Sequence, residues 1–316
     1  MSLNSSKKEF IFNLILMQNP SLLSQFIGGD YQHSELELYQ NRLYIDMYGR
    51  KRQNNVPVFV ETQLNRSDAK HFDKVKQLIG SIEDGIIVWI ATEFKTNYLE
   101  EMYNLLHFSI AKPINLYMVV VEDSYMSILE ELNKKDQIHV WNRLNQQQIE
   151  LPVLSIVESI EIIPSGYQAK AEEYLADAIS TIKGANKYFL RCLKKKVPFF
   201  FNAYRAKANP EKRQIVLGAG RAGLDYVVCL ETLKGDCYLK LRLTNERHQQ
   251  LFNRIKERFM CESNYANMEY RSKEVIFYFS DIKDTIQKIQ AVINQFEQVI
   301  IQVDSMVYKD YTKTYV

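Results

Sequence analysis

Asp46 and Glu61 stand fifteen positions apart in a chain of 316 residues, each near the end of a strand-like run, and Gln63 follows Glu61 by two. Two carboxylates with amide or backbone oxygens make a hard oxygen site of the kind that holds Mg²⁺ or Mn²⁺, ions that keep waters and bind phosphate oxygens directly. A metal so held lowers the pKa of a bound water and stabilises charge on a phosphate, so the chemistry expected of these residues is phosphodiester hydrolysis. Just beyond lie Ser67-Asp68-Ala-Lys-His71 and Lys74, where Lys74 offers a positive charge and His71 a contact to phosphate. The same spacing also fits a plainer reading. Glu61 and Gln63 can be the solvated face of an amphipathic strand, Lys74 a solvent-facing helix residue and His71 a structural one.

The elements that must position these groups follow from periodicity. Asn41 to Tyr48 reads as a strand entering the turn-like Gly49-Arg-Lys-Arg-Gln-Asn-Asn55, and Val56 to Leu64 reads as the returning strand. Alternation puts Glu61 and Gln63 on one face of that strand and Val60, Thr62 and Leu64 on the other. Ser67 or Asp68 then caps a helix with Phe72, Val75, Leu78, Ile79 and Ile82 at helical spacing, closed by Gly85. Ile86 to Ala91 is continuously apolar, which predicts a strand buried on both faces. With His33 to Tyr39 as first strand and an amphipathic helix over Lys8 to Phe26, broken at Asn19-Pro20, the order is α-β-β-β-α-β.

These residues resemble the PD-(D/E)XK, or restriction-endonuclease-like, nuclease superfamily, whose core has that order. They resemble more closely a bacterial two-domain family with a Glu-x-Gln motif, matched here by Glu61, Gln63, Leu64, Ser67, Asp68, His71, Lys74 and Val88-Trp-Ile-Ala-x-Glu-Phe94. The resemblance covers about sixty residues. It implies an α/β fold with a mixed sheet flanked by helices and a metal-dependent DNA endonuclease acting in defence against foreign DNA or in repair. Asp46 and Glu61 would be metal ligands, with Glu37 on the first strand completing the site, and Mg²⁺ or Mn²⁺ the cofactor. Gln63 stands where the family usually places a catalytic Lys. A neutral amide can only exchange hydrogen bonds, so Lys74 is the candidate to supply the missing charge. The alternative is an inactive nuclease-like module that binds DNA or a protein. Many nucleases of this fold pair to cut both strands, so a homodimer is among the assemblies implied.

Composition bounds these readings. The chain is 46% hydrophobic with a net charge of +2, too mild a basic excess to establish nucleic-acid binding by itself. Local clusters say more: Arg50, Lys51 and Arg52 in the expected turn, Lys194, Lys195 and Lys196 before an aromatic run, and Arg221 in a glycine-rich turn are candidate phosphate contacts. For the triple Lys a solvated helix end is an equal reading, since cations favour helix C-termini. No apolar stretch approaches a membrane span and the polar start lacks the apolar centre of a secretion signal, so a cytoplasmic protein without membrane contact is expected. Four cysteines without a CxxC pair predict free thiols and no structural zinc.

A boundary is expected near Pro164-Ser-Gly166, dividing a nuclease-like domain over 1–163 from an α+β domain over 164–316 that recognises nucleic acid or a partner. The second half opens with a helix from about Ala169, followed by strands over 214–217, 224–230 and 237–243, a helix over 246–259, a strand over 275–279 and closing helices to Val303. Gly218-Ala-Gly220-Arg-Ala-Gly223 fits GxGxxG, but a strand follows where a dinucleotide site needs a helix, and no acid stands about twenty residues on. A hairpin turn is expected there, and no nucleotide cofactor.

Overall fold

Alternating and continuous apolar runs become strands, and the 3.6-residue stripes become helices laid over them. The structure, a computed structural model, describes residues 3–106, 112–162, 179, 181–200, 208–230, 237–261, 267–279, 281–282 and 284–314. The first part of the helix expected from Ala169 lies outside the described residues. Two compact units emerge, one of Met1–Lys135 with His139–Ala171 and one of Asp136–Ile138 with Glu172–Val316. The architecture is a two-domain α/β one.

The first unit holds a six-stranded mixed sheet in the order β1 (Tyr31–Gln40), β2 (Leu43–Lys51), β3 (Pro57–Thr62), β4 (Gly85–Ala91), β5 (Ile114–Val121) and β6 (Leu154–Ile160). β1, β2 and β3 are antiparallel neighbours, β3, β4 and β5 run parallel, and β6 returns antiparallel. All seven residues of β4 are buried, as its unbroken apolar run requires for a strand covered on both faces. One cover is α3 (Ala69–Ser81), whose Phe72, Val75, Leu78 and Ile79 join Phe59, Ile87 and Trp89 in a single buried cluster with Tyr98 and Met102 of α4 (Thr96–Asn104). Each such side chain contributes roughly 1.5–3 kcal/mol by leaving water. The other face meets α1 (Leu3–Gln18), which is followed after Asn19-Pro20 by α2 (Ser21–Ile27) and packs Phe12 edge-on against Tyr125 of α5 (Tyr125–Asn133). A further helix, α6, spans Gln137–Asn145. Among the described residues no single helix is long and apolar enough to cross a membrane.

Two expected boundaries move, each for a packing reason. Gly49 lies inside β2 rather than in a turn, paired with His33 and Val58, and the Gln32 carbonyl and Tyr31 ring occupy the space a side chain there would need. Gly85 opens β4 instead of closing α3: it adopts φ 150°, and an added Cβ would stand 3.0 Å from the Pro57 carbonyl oxygen.

The second unit is a five-stranded antiparallel sheet in the order β10 (Met268–Tyr270), β11 (Glu274–Tyr278), β9 (Cys237–Leu243), β8 (Leu224–Leu230) and β7 (Gln214–Gly218). Among the described residues its α-helices are α7 (Ile182–Lys196), α8 (Gln249–Cys261) and α9 (Thr285–Thr314), the last a single helix that runs past the expected end at Val303. Phe189, Phe296, Phe200 and Tyr226 form its aromatic centre. Gly220 and Gly223 take positive φ in the turn joining β7 to β8, so the GxGxxG segment is a hairpin. The four cysteines are free.

Candidate active site

Asp46 comes from β2, Glu61 from β3 and Lys74 from the second turn of α3, and the three side chains meet. The Lys74 ammonium lies 3.4 Å from Asp46 Oδ1 and forms an ion pair with Glu61 Oε2. The helix is aimed by its cap: Asp68 Oδ1 accepts from the His71 backbone N–H at 2.9 Å, an arrangement worth about 1 kcal/mol, and Lys74 follows one turn on. Asp46 is itself held. Its Oδ2 accepts from the Thr62 backbone N–H at 2.8 Å and from the Thr62 hydroxyl at 2.9 Å, and that hydroxyl lies 3.0 Å from Oδ1 of the buried Asn13 on α1.

Glu61 is 3% exposed in its side chain, against 15% for Asp46 and 24% for Lys74, so the cluster opens to solvent through Asp46 and Lys74. Burial, followed by the charge of Asp46, pushes the Glu61 carboxyl well above the ordinary carboxylate range, with Lys74 acting against both. Burial alone would lower the Lys74 ammonium, but Asp46 and Glu61 together raise it above the ordinary Lys value. One cation thus serves two carboxylates, and Glu61 is the more buried of them. The void bounded by Leu43, Ile45, Glu61, Lys74, Val75 and Leu78 has no room for a water molecule.

Gln63 does not join this cluster. It lies past the end of β3 and is buried, with its amide nitrogen donating to the Arg66 carbonyl at 2.8 Å and lying 3.5 Å from Asp68 Oδ2. Its amide oxygen accepts from the Trp89 indole N–H at 3.2 Å. His71 closes the same network, with Nδ1 placed 3.0 Å from Asp68 Oδ1. Although burial raises the Asp68 carboxyl, the hydrogen bonds from His71 outweigh it and hold the group below its usual range. Gln63 and His71 therefore brace the turn between β3 and α3.

Glu37 is buried on β1 at the level of Asp46, in the left-handed region at φ 49°, and its charge acts weakly on Glu61. Among the described residues no group of three or more His, Cys, Asp or Glu is placed to hold a metal ion. The donor set that remains, two carboxylates on a partly open cluster, suits Mg²⁺ or Mn²⁺ of the kind that takes one or two protein carboxylates and fills its shell with water and phosphate. For such an ion to bind, the Lys74 ammonium must give way between them.

The other basic candidates lie on these elements. Arg50 and Lys51 end β2 and Arg52 begins the hairpin turn, four or more residues along β2 from Asp46, a distance of about 13 Å. The expectation that this turn adjoins the site is corrected: Asp46 and Glu61 lie at the other end of the hairpin, because β2 continues through Lys51 before turning. Lys194, Lys195 and Lys196 form the last turn of α7, with Lys196 paired to Glu297 at 3.2 Å, and Arg221 lies in the β7–β8 turn, all in the second unit.

Thr62 and Asn13 were not singled out from sequence, and Trp89 stood there only within the Val88-Trp-Ile-Ala run. Asn13 carried a signal, since it is the one polar residue between Phe10 and Leu16 on a helix whose other positions there are apolar and buried. No protein-family model, curated protein or solved structure matches this chain.

Proposed function

We propose that the first unit is a restriction-endonuclease-like core and that the chain is a metal-dependent DNA endonuclease acting through Asp46, Glu61 and Lys74. The observation that carries this reading is the convergence of two carboxylates from adjacent strands on a Lys delivered by the following helix. The expected nuclease chemistry needs two acids and one cation, and Lys74 supplies the charge that Gln63 lacks. Mg²⁺ or Mn²⁺, when bound, would supply Lewis-acid stabilisation of the phosphate and an activated water. Asp46, fixed by two hydrogen bonds from Thr62, and Glu61 would hold the ion. Lys74, released from between them, would offset negative charge developing on the scissile phosphate. Gln63 keeps the β3–α3 turn in place so that Lys74 reaches the carboxylates.

A second reading has its own observation. The void beside Glu61 and Lys74 admits no water and both ends of the Gln63 amide are hydrogen-bonded, which suits an ion cluster serving as a brace in an inactive binding module. Incubating purified protein with plasmid DNA in Mg²⁺ or Mn²⁺ separates the two. The nuclease reading expects nicking or linearisation that Glu61→Ala abolishes. Intact plasmid in both metals, with wild type and variant alike, favours the module.

A further inference from the structure

The tip of the β1–β2 hairpin has features that neither the sheet nor the carboxylate cluster requires. β2 pairs with β3 only as far as Met47, opposite Val60. Before that point Leu43 and Ile45 lie with Val75 and Leu78 of α3, and the Asn41 amide reaches the Ser81 carbonyl at 3.3 Å. The hairpin is thus an arm laid along α3, from Lys74 to the end of the helix about 10 Å away. Its turn is Asn41-Arg42, with φ 51° and 66°, the two-residue left-handed turn that locks twisted strands together.

On this rigid tip Tyr39 and Tyr44 face each other across the strands, with ring centroids 4.6 Å apart, and they are 58% and 57% exposed. The rings are tilted by 41° to one another and stay more than half exposed. Arg42, also exposed, stands in the turn between them. Tyr44 and Asp46 are two residues apart on β2, about 7 Å from one another.

We infer that this tip is a stacking platform for an unpaired base of single-stranded DNA, which it presents to Asp46. An aromatic face on a fixed support accepts any base, but only where the base face is free, and in a duplex neighbouring bases cover it. Aromatic rings beside a cation suit a single strand, whose bases stack on the rings while a phosphate meets the Arg42 guanidinium. The inference rests on the nuclease reading for where the strand is led, and its test reads binding without cleavage.

The experiment is fluorescence anisotropy in EDTA with the full chain and three labelled probes: an oligo-dT, an abasic strand of the same length and a duplex of that length. The oligo-dT should bind about tenfold more tightly than the abasic strand, the worth of one lost base stack, and more tightly than the duplex. Replacing both residues, Tyr39→Ala with Tyr44→Ala, should bring oligo-dT down to the abasic level, while Tyr39→Phe with Tyr44→Phe should keep it. Equal binding of dT and abasic strands by the wild-type chain, a preference for duplex, or no binding at all would overturn the inference without recourse to any variant. An alanine pair that binds as wild type would do the same. Stacking without cleavage in any metal leaves the platform standing and removes the nuclease reading. Cleavage without stacking does the reverse.

Discussion

In the first unit one ammonium, that of Lys74, serves two carboxylates, and one of these, Glu61, is almost wholly buried. In the second unit each of two acids on the sheet has a cation of its own: Lys240 with Glu274 at 2.7 Å and Arg242 with Asp225 at 3.3 Å, with the acids 20% and 27% exposed. Glu274 also has Arg271 within 3.7 Å. Matched pairs at a partly wet surface are an ordinary way to tolerate charge on a sheet. An unmatched, buried acid is costly, and retaining one is what a site for an external cation would require. The two clusters teach that excess negative charge, rather than the presence of ion pairs, is what marks the candidate centre.

The largest expected difference is in stability. Lys74→Met leaves Asp46 and Glu61 facing each other without their cation and should cost about 3 kcal/mol, whereas Lys240→Met, with Arg271 still beside Glu274, should cost about 1 kcal/mol. Denaturant unfolding of the two variants checks this, and equal losses would erase the contrast. Next is Gln63→Leu, which strands the Trp89 indole N–H and the Arg66 carbonyl and should cost about 2 kcal/mol. Any fall in cleavage from it should follow the loss of fold, read by comparing activity with the folded fraction, because Gln63 braces the turn without touching the carboxylates.

A smaller effect concerns pH. Glu61 binds its proton more tightly folded than unfolded, so this group favours the folded state at acid pH. That advantage fades as pH rises from the ordinary carboxylate range through the raised value. Unfolding midpoints across that window should decline for the metal-free wild type and stay flatter for Glu61→Gln. Parallel curves would mean that Glu61 is not the strained acid.

Much of this was legible in the residues themselves. The strand order up to β4, the Asp68 cap, the break at Asn19-Pro20 and the GxGxxG hairpin follow from local chemistry: alternation, a side chain reaching its own helix, an imino acid and a pair of positive φ values. Asp46, Glu61 and Lys74 could be grouped because a hairpin and the next helix bring near neighbours in sequence together. Gln63 could not be placed the same way. Strand alternation puts it beside Glu61, but the strand ends at Thr62, and its fate depends on Trp89, which arrives from β4 as a parallel neighbour. The hold of Asn13 on Thr62 spans forty-nine positions between helix and strand, and no local pattern announces it. The bend of the β1–β2 arm over α3 was equally hidden, since it depends on where pairing with β3 stops.

The claim that Asp46 and Glu61 form a metal centre is tested most directly by calorimetric titration of the purified chain with Mn²⁺ at several pH values. The account predicts one ion bound per chain, with protons released and affinity rising as pH climbs through the raised Glu61 value, and binding lost in Asp46→Asn and Glu61→Gln. No binding by the wild type, or binding that both variants retain, would contradict it.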